Sequence, residues 1–369
     1  MRSLRPNSRG VIVQVNNNTP RATGHVKPLS KPTPVLHYLD KVIKGETPQI
    51  AVMRSNGGIG DVMMTVPTVK AIANKYNCKV DYGTDFNYLD GALEKVLRHI
   101  PYIGNIIPWQ DIDMTQYNAV VDLACPCVVH EVPLAPPINR IDLFARHARI
   151  ILKDTHIDYV ITPEELHWAK AWMDEHHLAG KKVILVQPFS STTRRDAPVQ
   201  LLQNTMKDIL MQDRNVRMVV ITHNSDNDKQ TSWNWAEISK LHNHDIRQIA
   251  AIMHHCNMVM CPDSAILHLA GALKKDTVTL FGPTDPRARV DHYPNAVAIC
   301  PAAELKCWPC WYHPNCQSRN LCWSRLNKDD IVKVTFAVLN NQPLPQVPGL
   351  FHYGNRVSAG IQNPSFTVL

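Results

Sequence analysis

The chain has 369 residues, 44% of them apolar and 19% charged, with ten cysteines and a formal net charge of +7. That length is more than one core usually fills and suits two domains. No run approaches the roughly eighteen apolar residues of a membrane span, and the first thirty or so residues carry no apolar block ahead of a cleavage site. The expectation is a cytoplasmic protein with no transmembrane segment, its membrane contact at most peripheral. Several cysteines, Cys78, Cys256 and Cys261, sit inside apolar runs as small core residues do, which favours a reducing compartment over a disulfide framework.

Residues 1–48 hold eight lysines and arginines against Asp40 and Glu46, so nearly all of the net charge lies in this basic N-terminal extension. Residues 1–34 mix Asn, Pro, Arg and Ser and read as an irregular arm, with "GVIVQV" as its one strand-like stretch. From Gln49 the pattern sharpens. "QIAVMRS" is a short buried strand and "GGIGD" a turn. Val62, Val66, Val69, Ala73 and Tyr76 then recur at helical spacing.

"CKVDYG" and "YNAVVDLAC" continue as strands, with "DGALEKVLRHI" and "RIDLFARHARIIL" as helices. The polar helix "PEELHWAKAWMDEHHL" leads to a hinge near 165–180. Beyond it "KVILVQP", "VRMVVIT", "CNMVMC" and "DTVTLFG" are strands; "VQLLQNTMKDILMQ", "IRQIAAIMHHC" and "ILHLAGAL" are helices. Alternation of this kind builds parallel sheets covered on both faces. The predicted architecture is α/β, with two doubly wound halves facing across a cleft: residues 49–170 and 171–340, followed by a C-terminal tail at 341–369.

The most informative segment is "CPDSAILHLAGALKKDTVTLFGPTDPRARV", Cys261 to Val290. Asp263 and Ser264 follow a strand and open a helix, where free amides accept an anion or sugar hydroxyls. His268 lies one turn on, on the same face. The next strand ends at "GPTDP", which presents Thr284 and Asp285 at the same rim. Singly these residues read as helix caps and a core histidine; together on successive strand-to-helix turns they read as a binding edge.

This segment resembles glycosyltransferase family 9, the heptosyltransferase-like group of GT-B fold, whose members carry Asp-Ser/Thr-Gly, His-Leu-Ala, an apolar strand and Phe-Gly-Pro-Thr-Asp-Pro. The likeness extends into "CWPCWYHPNCQSRNLCW" and back to the Gly-Asp turn, roughly residues 49–340. It implies two Rossmann-like domains, the first on the acceptor side and the second binding a nucleotide sugar. It also implies transfer of the sugar, with inversion and without a metal, to a hydroxyl of a lipopolysaccharide-type glycan.

Residue by residue, the resemblance places the general base at Asp61; Gly57, Gly58 and Gly60, lacking side chains, would let the acceptor approach the backbone closely. The chemistry asks for such a group, because an attacking hydroxyl must lose its proton. The alternative is that Asp61 only caps its helix. In "QPFSSTTRRDAP" the resemblance assigns Thr192 or Thr193 and Arg195 to the phosphates, Arg195 standing for the usual Lys and Ala197 for a common Trp. Asp263, Ser264, Ala265, His268, Thr284 and Asp285 complete the donor set. Ala265 replaces a Gly, and "HNSDNDKQ" replaces a Gly-rich turn, so donor sugar and base stay open.

Cys307, Cys310, Cys316 and Cys322 are spaced C-x2-C-x5-C-x5-C, with His313 between them. Structural zinc is the weaker alternative to a packed thiol loop or disulfide, so no cofactor is expected beyond the donor. Trp308, Trp311, Tyr312 and Trp323 suggest a small satellite core. Cys125 and Cys127, in "ACPC", read as a loop at a strand end. Two functional alternatives accompany the glycan reading. One is a transferase acting on modified bases of DNA, held through the basic extension. The other is a catalytically silent binding protein that keeps the fold.

Overall fold

The computed structural model describes residues 47–124, 137–224, 233–301, 305, 307–311 and 321–352. Expectations on the extension (residues 1–46), on Cys125, Cys127, Tyr312, His313 and Cys316, and on most of "HNSDNDKQ" lie outside the described residues.

Two sheets organise the chain. The first contains β1 (Ile50–Arg54), β2 (Val80–Thr84), β3 (Ile103–Pro108) and β4 (Ala119–Asp122) in the order β3-β2-β1-β4, all parallel. The second contains β5 (Lys182–Val186), β6 (Val216–Thr222), β7 (Ile238–His242), β8 (Met258–Pro262), β9 (Asp276–Leu280), β10 (Ala296–Ile299) and β11 (Leu350–His352). Its order is β11-β10-β9-β8-β5-β6-β7, with only β11 antiparallel. The central strands β1 and β8 are buried at every position, as helix-covered parallel strands must be. In each sheet the strand order reverses beside one strand, β1 in the first and β5 in the second, and ligands bind at the carboxyl ends beside such reversals.

The helix expected over Val62–Tyr76 is two helices, Ile59–Met63 and Val66–Tyr76. Pro67 has no N–H to give to the carbonyl four residues back, so the first helix stops. The Thr65 hydroxyl fills the break by donating to Val62 O at 2.7 Å and pairing with the Tyr82 hydroxyl at 2.7 Å.

The hinge expected near 165–180 is largely a packed helix, Pro163–Glu175, started by a capping box between Thr162 and Glu165. It lies against the helix Ile246–His255. Buried Arg247 ties the two halves: its Nη1 donates to Lys95 O at 3.0 Å, and its Nη2 donates to Val160 O and Glu165 Oε2, each at 2.7 Å. One apolar cluster runs from Val52 and Phe144 through Trp172 to Ile249 and Leu185, so the halves share a core.

Past residue 340 the chain returns to the second sheet: Leu350–His352 pairs with β10. The helix Lys328–Leu339 packs on Val199–Gln212. Among the described residues no helix is long and apolar enough to cross a membrane.

Candidate active site

The turn after β1 places Asp61. Gly57 has φ +96°, and a Cβ there would meet Arg54 Nη2 at 2.6 Å and Asp61 Oδ2 at 2.8 Å, so only glycine lets the carboxylate fold back over the turn. Asp61 then caps its own helix, its Oδ2 accepting from the Gly58 amide at 2.9 Å. Its Oδ1 accepts from Arg140 Nη1, and Arg54 Nη2 lies 3.9 Å from the same oxygen. Burial alone would raise this carboxyl; Arg140, then Arg54 and the Gly58 amide outweigh it and hold Asp61 well below the usual carboxylate range. Capping and exposure to the cleft coexist in one side chain.

Arg54 is the last residue of β1 and is buried. Its Nη1 donates to the carbonyls of Leu123 and Ala124, which follow β4, and its guanidinium lies 5.1 Å from the centre of the Phe144 ring. Arg140 opens the helix Arg140–Ala148, whose N-cap Asn139 accepts from the Ile141 amide at 2.9 Å.

The second half meets this turn directly. A Cβ on Gly60 would stand 2.3 Å from His268 Cδ2, so Gly60 is the point where the helix Ala265–Ala272 touches the first half. Gly60, expected to let the acceptor approach the backbone, also lies at the contact between the halves. His268 is buried and its Nδ1 pairs with the Tyr293 hydroxyl at 2.7 Å. Burial pushes His268 down to about 3, with Asp263 opposing, so the ring is neutral.

Asp263, 2% exposed, is the counterpart of Asp61. Thr284 Oγ1 donates to its Oδ2 at 2.9 Å, Arg195 Nη1 lies 3.5 Å from Oδ2, and Arg289 Nε lies 3.5 Å from Oδ1. Burial raises the carboxyl, but Arg289 and then Arg195 bring it to about 2. Asp263 Oδ1 and Ser264 Oγ are buried without a hydrogen bond among the described residues, which leaves polar atoms for a ligand at the start of the Ala265–Ala272 helix.

Arg195 is posed for the same place. Its Nε donates to Thr192 Oγ1 at 3.0 Å and its Nη2 to Ser191 Oγ at 2.8 Å. Thr192 and Thr193 stay exposed at the loop tip, and the loop is closed by Asp196 accepting from the Ser190 amide at 2.6 Å. Ala197 lines a cavity of about 680 Å³ with Phe189, Thr193, Trp323 and Leu326.

Thr284 and Asp285, expected at the rim, are fully buried. Thr284 serves Asp263, and Asp285 accepts from the amide, Nε and Nη2 of Arg287. They form a buried floor beside Asp263. The loop around Cys310 buttresses that floor: the Cys310 and Trp311 amides donate to Pro283 O at 3.1 and 3.0 Å, and Trp308 Nε1 donates to Gly282 O at 2.8 Å. Arg289 lies 5.4 Å from the centre of the Trp311 ring. Cys310 Sγ accepts from Arg194 Nη2 at 3.3 Å. Among the described residues no group of three His, Cys, Asp or Glu is arranged to hold a metal ion.

Four residues escaped the sequence. Arg54, Arg140 and Arg289 join Arg195 around the two carboxylates, and Tyr88 stands near enough to Asp61 and Arg195 to feel both charges, although burial is the larger cause that raises its hydroxyl. Arg289 acts on both Asp61 and Asp263. Four guanidiniums around two carboxylates make a cleft with surplus positive charge, suited to a diphosphate.

The fold has counterparts among known proteins. The family model described as glycosyltransferase family 9 (heptosyltransferase) matches residues 139–318. No curated protein sequence matches the chain. Among solved structures, a glycosyl transferase family 9 protein from Veillonella parvula superposes with TM-score 0.63 at 14% identity, covering 81% of this chain and 99% of that one. ADP-heptose LPS heptosyltransferase II of Escherichia coli gives 0.57 at 14% identity, with 79% and 99% covered. The iron-containing dodecameric glycosyltransferase TibC of enterotoxigenic E. coli gives 0.59 at 13%, with 81% and 80% covered. The shared fold is GT-B.

Proposed function

We propose that the chain, whose residues 139–318 match the glycosyltransferase family 9 model, moves a sugar from a nucleotide-diphosphate sugar to an acceptor hydroxyl with inversion. The observation that carries this is the facing of Asp61 from the first half toward Arg195, Arg289 and the open oxygens of Asp263 and Ser264 in the second. The first half takes the acceptor and the second the donor.

In the reaction the acceptor oxygen attacks the anomeric carbon as the bond to the diphosphate breaks, and its proton passes to Asp61. The electron pair leaves on the diphosphate, where Arg195 and Arg289 neutralise it. In the proposed chemistry these guanidiniums supply the charge stabilisation that a metal ion gives in other transferases. Neutral His268 and Thr284 keep Asp263 and its arginines in place.

ADP-heptose as donor and a lipopolysaccharide-type acceptor are the finer proposal, supported by what the similar E. coli enzyme is named for. Buried free thiols at Cys256, Cys261 and Cys300 support the cytoplasm as the proposed site of action. The test is incubation with a panel of nucleotide sugars, first for thermal stabilisation and then for transfer to a core glycan or to duplex DNA. Stabilisation by ADP-sugars, with a product of inverted anomeric configuration on the glycan, is the expected result. Transfer to DNA alone would move the acceptor assignment to nucleic acid, and binding without transfer to either would leave a silent binding protein.

A further inference from the structure

Tyr88 belongs to the first half, in the loop between β2 and the helix Ala92–Lys95, and its hydroxyl reaches over the turn that carries Asp61: a Cβ on Gly58 would stand 3.4 Å from it. The loop is shaped to hold it there. Leu89, Asp90 and Gly91 adopt three successive left-handed conformations, with φ 44°, 53° and 79°, and left-handed backbone is costly at a residue such as Leu. The Ala92 amide closes the turn by donating to Tyr88 O at 3.1 Å. A loop that only had to bury apolar surface would turn Leu89 inward. Instead Leu89 is 61% exposed and the Tyr88 ring packs against the core.

The hydroxyl itself makes no hydrogen bond among the described residues. Asp61 already accepts from the Gly58 amide and from Arg140. Burial, and after it the charge of Asp61, raises the phenol, so it keeps its proton and can donate it. The place is the seam of the cleft: Gly60, two residues beyond Gly58, meets His268 of the second half, and Arg195 is close enough for its charge to bear on the hydroxyl. An O–H without a protein partner, held between a carboxylate on one wall and a guanidinium on the other, suits an anionic oxygen of the substrate.

We infer that Tyr88 is a substrate-contacting residue which the acceptor-side half supplies to the nucleotide sugar, its hydroxyl donating a hydrogen bond to the phosphate that departs from the anomeric carbon. This rests on the transfer reaction proposed above. In that reaction the anomeric carbon lies between the attacking oxygen at Asp61 and the departing oxygen at Arg195, and Tyr88 stands between the same two residues. The phosphate nearer the nucleoside is one group further from the sugar and out of its reach. The phenol keeps its proton throughout. As the bond to the sugar breaks, charge grows on the departing oxygen and the hydrogen bond strengthens, so Tyr88 serves the rate as well as binding.

Tyr88→Phe removes one oxygen and no charge, and it keeps the ring that packs on the core. The experiment is calorimetry with ADP, GDP, UDP and CDP, each against its own monophosphate, on the parent and on this variant. For the diphosphate that the parent binds best, Tyr88→Phe is expected to lose about tenfold in affinity, the worth of one hydrogen bond to a charged group. The matching monophosphate, which lacks the departing phosphate, is expected to bind as it does to the parent. Leu89→Ala, on the same loop but facing solvent, is expected to bind both as the parent does. Melting curves confirm that each variant is folded. Unchanged diphosphate affinity in Tyr88→Phe overturns the inference. So does an equal loss for diphosphate and monophosphate, or a loss in Leu89→Ala that matches it, because either would assign the effect to the loop and not to the hydroxyl. Its failure is separable from failure of the transfer reading: if the parent binds a diphosphate and Tyr88→Phe binds it equally, only the role of Tyr88 falls. If the parent binds none of the four, the nucleotide-sugar reading falls and the inference with it.

Discussion

The two walls of the cleft repeat one device with different outcomes. On each, a carboxylate at a strand-to-helix turn is held by two arginines: Asp61 by Arg140 and Arg54, Asp263 by Arg289 and Arg195. Besides its arginines, Asp263 is 2% exposed and braced by Thr284, whereas the side chain of Asp61 is 18% exposed and accepts from the cap of its own helix. Burial turns the same ion cluster into a scaffold on one wall and leaves it reachable on the other. In the proposed reaction Asp263 orders the cations that receive a diphosphate and Asp61 meets the acceptor.

The contrast breaks first at Asp263. Asp263→Ala leaves buried Arg289 without its counter-charge, and the expected loss is about 3–5 kcal/mol by denaturant unfolding, the usual cost of orphaning one partner of a buried pair. A loss below about 1 kcal/mol would make the Asp263 cluster as dispensable as a surface pair.

Acid sharpens the same wall through His268. The folded ring takes a proton only near about 3, while an unfolded His does so near 6.5, so the unfolded state binds more protons throughout that window. Stability therefore falls as pH falls, by roughly 3 kcal/mol between pH 7 and pH 4 at about 1.4 kcal/mol per unit. His268→Gln should lose that component, measured as the difference between the two proteins' pH-stability curves. Parallel curves would mean His268 is not buried neutral.

Gly60→Ala tests the contact between the walls. Its Cβ would collide with His268, which is pinned by Tyr293, and overpacking of this kind costs about 1–3 kcal/mol. Unchanged melting temperature would show that the halves do not meet there.

The mildest change is Arg195→Ala. It removes a partly exposed cation from the donor wall and should weaken nucleoside diphosphate binding by roughly tenfold to a hundredfold in calorimetry, the range of a charge-assisted hydrogen bond. Its stability should stay near the parent's, unlike that of Asp263→Ala.

Much of this was legible in the residues. The central strands are continuous apolar runs, and the strand-to-helix turns that carry Asp61, Asp263 and Arg195 announce themselves by glycines and polar caps. β3 and β7 were not legible, because "IGNIIP" leaves Gly104 and Asn105 exposed and "ISKLH" buries only Leu241; edge strands lack the apolar run of a central one. Pro67 signalled a break that the apolar spacing across it concealed. Arg54, Arg140 and Arg289 had no local signal, since Arg54 closes an apolar strand, Arg140 opens a helix and Arg289 lies within a short one. The partners that give them meaning are distant in the chain: Asp61 lies 79 residues from Arg140, and the Leu123 carbonyl 69 from Arg54.

The claim that the exposed carboxylate does chemistry while the buried one builds the site is tested most directly by single-turnover transfer in Asp61→Asn, with nucleoside diphosphate affinity measured on the same preparation. The expected result is unchanged nucleotide affinity with the transfer rate reduced by about 10²–10⁴, the usual contribution of a general base. A rate within about tenfold of the parent's, at unchanged affinity, would contradict the assignment and leave Asp61 as a helix cap.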